Sequence, residues 1–238
     1  MFKAFLEEKD FVPYQTSPLP SGPWLVLAPH PDDESIGLGG TLALAADIPV
    51  LLVVVTDGSL GGPSPIRYQE TLQAAKVLHL EEVIFWNLPD RKVYQKFDLF
   101  AQKFLSLLKQ CSFQTIFLPQ PFEYHPDHRA VSLYSLILLE EIRFSNEIWF
   151  YEISRQAEIN RLINISKVWS LKEKAIKCYR SQLRINNYLD IVRSLNKART
   201  YSLPADVSYA EGFWVSKAEK ALSSFGKRFL NYFSFESY

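Results

Sequence analysis

The 238 residues carry 26 basic and 26 acidic side chains, no Lys/Arg block and 47% hydrophobic residues, which suits one sizeable core in a single domain over 1–238 and argues against a nucleic-acid partner. No run approaches the roughly 20 apolar residues of a membrane span, and Met1–Asp10 lacks the apolar core of a signal peptide, so a cytoplasmic protein without a transmembrane span is expected. Cys111 and Cys178 are isolated and imply no disulfide framework.

Residues 1–23, with Pro13, Pro18, Pro20 and Pro23, read as an irregular lead-in, with a short helix at 2–9 left open. Trp24–Ala28 is a short apolar run of the kind that forms a buried parallel strand. It breaks into His30-Pro31-Asp32-Asp33-Glu34 and a glycine cluster, after which Gly39–Ala46 begins a helix. Pro49–Thr56 is a continuous β-branched strand. Thr56-Asp57-Gly58-Ser59 and a Gly/Pro-rich loop to Pro65 follow, read either as a substrate lid or as a plain turn. Ile66–His79 is helical, with Ile66, Leu72, Ala75, Val77 and Leu78 as its expected core face, and His79 as a residue ending the helix.

Val83–Trp86 is the third strand, leading to Asn87-Leu88-Pro89-Asp90, and Phe97–Lys109 is an amphipathic helix. Thr115–Pro119 is the fourth strand and delivers His125-Pro126-Asp127-His128, before a helix over Arg129–Glu141. Either Glu123 or Tyr124 is expected at a pocket mouth. A strand at Ile148–Ile153 and helices at Lys167–Gln182 and Tyr188–Thr200 come next. The tail 217–238 places Phe225, Phe229, Leu230 and Phe233 at helical spacing, to dock on its own domain, on a second subunit or on a membrane surface; a homo-oligomer stays open. The βαβ alternation predicts an α/β fold, a doubly wound, mainly parallel Rossmann-like sheet with helices on both faces. The GxGG sequence lacks the spacing of a dinucleotide fingerprint.

Three of the four histidines fall in two elbows, each following a strand. His30 and Asp33 are three residues apart, as are His125 and His128, so a first helical turn can aim each pair one way. Pro31 and Pro126 suit the first position of a helix. Imidazole and carboxylate are the ligands a catalytic zinc takes, three from the protein with one position open. A single such elbow reads better as an N-capped helix with acids favourable to its dipole. Two of them at strand ends favour a shared ion. The residues alone do not say which histidine of the second pair binds it.

APHPDDE followed by GxGG and a later HPDH resembles the zinc-dependent de-N-acetylases of the LmbE-like or PIG-L superfamily, over about Leu25–Phe213. The resemblance implies removal of an N-acetyl group from an N-acetylglucosamine-type sugar. Another N-acyl substrate, or a non-catalytic sugar- or metal-binding module, are the alternatives. It implies zinc as cofactor, with ferrous iron the alternative, and a small-molecule or glycoconjugate amino sugar as partner. His30, Asp33 and His128 would be metal ligands and Asp32 the general base. His125 would be an imidazolium stabilising the oxyanion, oriented and kept charged by Asp127. Arg67, in an Arg-x-x-Glu pattern with a structural Glu70, would contact substrate hydroxyls. Asp90 would face the sugar, although Arg91 stands where the family has glycine. Ser181, Gln182 and Glu211 fall in later stretches resembling the family, Glu211 as a buttress.

Overall fold

The computed structural model describes residues 7–233. Seven strands form one sheet in the order β3-β2-β1-β4-β5-β7-β6. They are Trp24–Ala28 (β1), Val50–Thr56 (β2), Glu82–Leu88 (β3), Thr115–Pro119 (β4), Glu147–Tyr151 (β5), Arg161–Asn164 (β6) and Ala210–Lys217 (β7). β1 to β5 pair in parallel, and β7 runs antiparallel between β5 and β6. β1 and β4 are fully buried, as their unbroken apolar sequences require of strands covered on both faces.

Side chains alternate across the sheet, so each strand feeds two cores. Trp24, Val26 and Ala28 join one face, with residues of Asp33–Leu44 (α1), Ser64–Val77 (α2), Trp169–Ile176 (α5) and Tyr188–Ala198 (α7). Leu25 and Leu27 join the other, with Phe97–Gln110 (α3), Pro126–Glu141 (α4) and Ala218–Phe233 (α8). A four-residue helix, Arg180–Leu183 (α6), lies between α5 and α7.

After β1 the chain builds outward through β2 and β3, then returns to place β4 on the other side of β1. The strand order therefore reverses between β1 and β4, where open α/β sheets form their ligand crevice. Both elbows leave the carboxyl ends of these two strands.

Some elements differ from the sequence reading. β6 and β7 were not expected. Their antiparallel pairing is set by contacts far apart in sequence, which periodicity does not report. The helix expected over Lys167–Gln182 is broken at Lys177-Cys178-Tyr179 into α5 and α6. The core face expected on α2 is wrong at Ile66 and Leu72, which are 50% and 37% exposed. That helix instead buries Arg67, Glu70 and Thr71 beside Ala74 and Ala75, because its inner face looks onto the crevice. His79 does end α2, in the left-handed conformation at φ 59°. Of the lead-in helix at 2–9, residues 2–6 lie outside the described residues; Glu8–Asp10 form one 3-10 turn. In the tail, Phe225 is buried against Phe150, Trp214 and Phe122, while the side chains of Phe229, Leu230 and Phe233 lie outside the described residues.

Candidate active site

The two elbows converge. His30 Nδ1 lies 3.2 Å from Asp33 Oδ2 and 3.1 Å from His128 Nε2, and His128 Nε2 lies 3.2 Å from Asp33 Oδ2. A tetrahedral ion with bonds of about 2.0–2.1 Å sets its ligand atoms about 3.3–3.4 Å apart, so this near-equilateral trio fits one. Looser groupings around His30 also exist within 4.8 Å, one with His125 and His128 and one with Asp90, His125 and Asp127. The Asp33 trio is tighter and pairs an anionic oxygen with two nitrogens. His128 Nδ1 is buried without a hydrogen-bond partner, Glu123 Oε2 being 3.9 Å away. Burial pushes the Asp33 carboxyl up, but His128 and His30 hold it well below the usual carboxylate range. Burial opposes charge on His30, yet Asp127, Asp33 and Asp90 raise it well above the usual value. Two imidazole nitrogens and a carboxylate oxygen are the donor set of a divalent-cation site.

Asp127 and Asp90 both face the other side of His30. Its Nε2 is 3.3 Å from Asp127 Oδ2 and 3.2 Å from Asp90 Oδ1. Asp127 also accepts the Arg91 and Val93 backbone N–H groups at 2.6 and 3.1 Å, and Asp90 accepts that of Leu60 at 3.1 Å. This corrects the expected Asp127–His125 pairing. The first turn of α4 aims the carboxylate at His30 and the 90–93 turn, so Asp127 reaches His125 only by donating its backbone N–H to Nδ1, at 3.2 Å. That bond, made as His125 caps α4, leaves the neutral ring's proton on Nε2. Burial, then the His30 and His128 charges, lower His125 to about 4 against the opposing pull of Asp127. The expected imidazolium is thus a neutral ring near pH 7. Asp90, expected to face a sugar, lines the cleft with both oxygens already engaged.

Asp32 is 6% exposed and holds the left-handed region at φ 119°. Burial pushes its carboxyl up to about 8, with the Arg67 guanidinium opposing. Arg67, 3% exposed, donates to Asp32 Oδ2 at 3.1 Å, to Gly58 O at 3.2 Å and to Pro31 O. Expected to touch substrate hydroxyls, it instead clamps the general-base candidate and the loop after β2, leaving only Nε unpartnered.

Supporting contacts fix both elbows. Glu34 accepts from the Tyr179 and Ser35 hydroxyls and from the Asp32 backbone N–H. Glu70 accepts Ser181 N–H at 2.7 Å and its hydroxyl at 2.6 Å, tying α2 to α6. Glu123, expected at a pocket mouth, is 1% exposed and accepts the Ile153 and Ser154 N–H groups; Tyr124 is 68% exposed. Sequence reading gave Glu34 only a helix-dipole role and missed Tyr179. The cleft holds about 440 Å³. Its polar floor of His30, Asp32, Asp33 and His128 faces an aliphatic wall that includes Leu60, Ile153 and Ile185. Leu60 falls in the loop to Pro65, expected as a lid or a plain turn, whereas Ile185, in a loop without periodicity, gave no signal.

Residues 25–137 match the family described as PIG-L: GlcNAc-PI de-N-acetylase. That stretch, just under half of the chain, resembles the PIG-L family. It is 23% identical over 188 residues to a diacetylchitobiose deacetylase of Thermococcus kodakarensis, covering 66% of this chain and 69% of the relative. It is 26% identical over 182 residues to a probable N-acetyl-alpha-D-glucosaminyl L-malate deacetylase 2 of Bacillus cereus, covering 66% and 82%. The N,N'-diacetylchitobiose deacetylase from Pyrococcus horikoshii, complexed with its inhibitor MPG, shares the fold at a TM-score of 0.71 and 23% identity, over 83% of this chain and 85% of that one. The PIG-L match spans both elbows. The wall residues Ile153 and Ile185 lie beyond it.

Proposed function

We propose that this protein is a metal-dependent hydrolase that removes the acetyl group from an N-acetylglucosamine-type amino sugar. Its metal would be zinc, with ferrous iron the alternative, held by His30, Asp33 and His128. The observation that carries the reading is the trio of ligand atoms 3.1–3.2 Å apart with buried Asp32 adjoining it in one cleft. The match to the PIG-L family over residues 25–137 and the deacetylase activities named for the relatives support the substrate class.

Bound there, a divalent ion supplies Lewis-acid polarisation of water and of the amide oxygen. Asp32 takes the proton of the attacking water and returns it to the departing amine. A carboxyl raised by burial is a strong enough base for that step. Arg67 opposes that rise and aims the carboxyl. His125 donates its Nε2–H to the oxyanion as a neutral imidazole, a preorganised donor that costs no proton transfer. The Asp127 and Asp90 carboxylates fix the ring of His30, the outer support that a metal-ligating histidine uses.

The test is acetate release from a panel of N-acetylglucosaminides by the metal-loaded protein, with metal content measured alongside. Asp32→Ala keeps its metal and loses turnover by at least about 100-fold, the usual worth of a general base. Wild-type turnover in that variant would overturn the assignment.

A further inference from the structure

A second groove, of about 730 Å³, adjoins the catalytic cleft, and Arg91 lines both. It is walled by Tyr94, Tyr134 and, from α4, Pro126, Arg129, Ala130 and Leu133, with no acidic residue in its lining. Arg129 is held in place by the Glu123 and Tyr124 carbonyls. The guanidinium of Arg91 is exposed and has no carboxylate partner among the described residues. Its backbone stands at φ 58°, a conformation that favours glycine. An arginine kept at a strained position, unpaired, where two grooves meet, points to function rather than to folding. The start of α4 adds the positive end of a helix dipole to the same wall. In a chain with zero net charge, this is a cationic, acid-free surface beside an acid-rich floor. Unlike the floor, the groove has no carboxylate in its lining to oppose an anion.

We propose that this groove binds an anionic group, a carboxylate or a phosphate, on the part of the substrate that is not deacetylated, and that Arg91 is the contact that selects it. The inference rests on the deacetylase reading for its substrate, but not for its binding measurement. The tyrosines flanking the groove give the linking portion an apolar face to lie on.

The experiment compares a neutral methyl N-acetylglucosaminide with malate-linked and 1-phosphate-linked counterparts, on wild type, Arg91→Gly and Arg91→Lys, all metal-loaded. Glycine accepts φ 58° freely, so the first variant keeps its fold. In wild type, KM is about tenfold lower for at least one anionic glycoside, the worth of one charge-assisted contact. Arg91→Gly brings that ratio to within about twofold, and Arg91→Lys retains part of it, as a point charge does. Added salt narrows the ratio in wild type and leaves it flat in Arg91→Gly. The malate and phosphate arms decide which anion is meant. Equal ratios in wild type and Arg91→Gly overturn the inference. Should no glycoside be hydrolysed, the deacetylase reading fails. The same ratio, read as Kd by calorimetry, then still decides for or against Arg91.

Discussion

Asp32 combines a left-handed backbone, a buried carboxyl and an ion pair with Arg67. Its pKa follows from the contest between burial, which raises it, and Arg67, which lowers it. Arg67→Met removes the lowering partner, so the carboxyl holds its proton to higher pH. The acidic limb of kcat/KM against pH therefore moves upward. A pH profile that stays in place while activity falls would show that Arg67 acts elsewhere. Asp127 offers a second decision at this scale. Because it supports His30, Asp127→Asn weakens metal affinity by about 10–100-fold, the usual effect of losing such a partner, measured by competition with a chelating dye. If the metal held as tightly as in wild type and only kcat dropped, Asp127 would belong to His125 after all.

Helix α1 is two helical pieces joined at Leu38, whose φ of −137° is not helical. The second piece is capped from far away in sequence. Glu211 accepts the Gly40 and Thr41 N–H groups at 2.8 and 2.7 Å, the Thr41 hydroxyl at 2.6 Å and Lys172 Nζ at 2.6 Å. The carboxylate thus occupies the place of an N-cap, and Lys172 neutralises it, with both side chains 0% exposed. Glycine is required at Gly37, where a Cβ would come within 2.3 Å of the Tyr151 ring. The elbow's helix is held against the sheet by β7, a strand that contributes nothing to the site's floor. Lys172→Met costs about 3 kcal/mol, the low end for breaking a buried pair, because three donors still satisfy the carboxylate. Glu211→Ala costs more, since it orphans those donors and the ammonium together. Urea midpoints at unchanged slope check both, and equal midpoints for the two variants would contradict the capping role.

Across the molecule, the sheet separates two apolar cores and leaves the switch point between β1 and β4 for the site. Helix α8 completes the second core through Phe225, which meets Phe150, Trp214 and Phe122 at ring centroid distances of 5.4, 4.5 and 5.5 Å. Of the fates open to the tail, its described part packs on its own sheet. Phe225→Ala therefore lowers stability by about 3–5 kcal/mol, as deletion of a buried aromatic does. A loss below about 1 kcal/mol in a denaturant titration would mean that the helix is not docked. No helix among the described residues is long and apolar enough to cross a membrane.

The alternation of short apolar runs with amphipathic stretches determined the parallel core, β1 to β5, because burial on both faces leaves an unbroken hydrophobic signature. The repeated His-Pro-Asp elbows marked the residues that converge, His30, Asp33 and His128, because each elbow sets a histidine and a helix start together in sequence. Only the tertiary structure decided what each carboxylate faces. Asp127 and Asp90 turn to His30, Arg67 turns to Asp32, and Glu211 turns to α1. These partners are set by packing between elements up to 171 positions apart, and local composition carries no record of which donor a buried acid will meet.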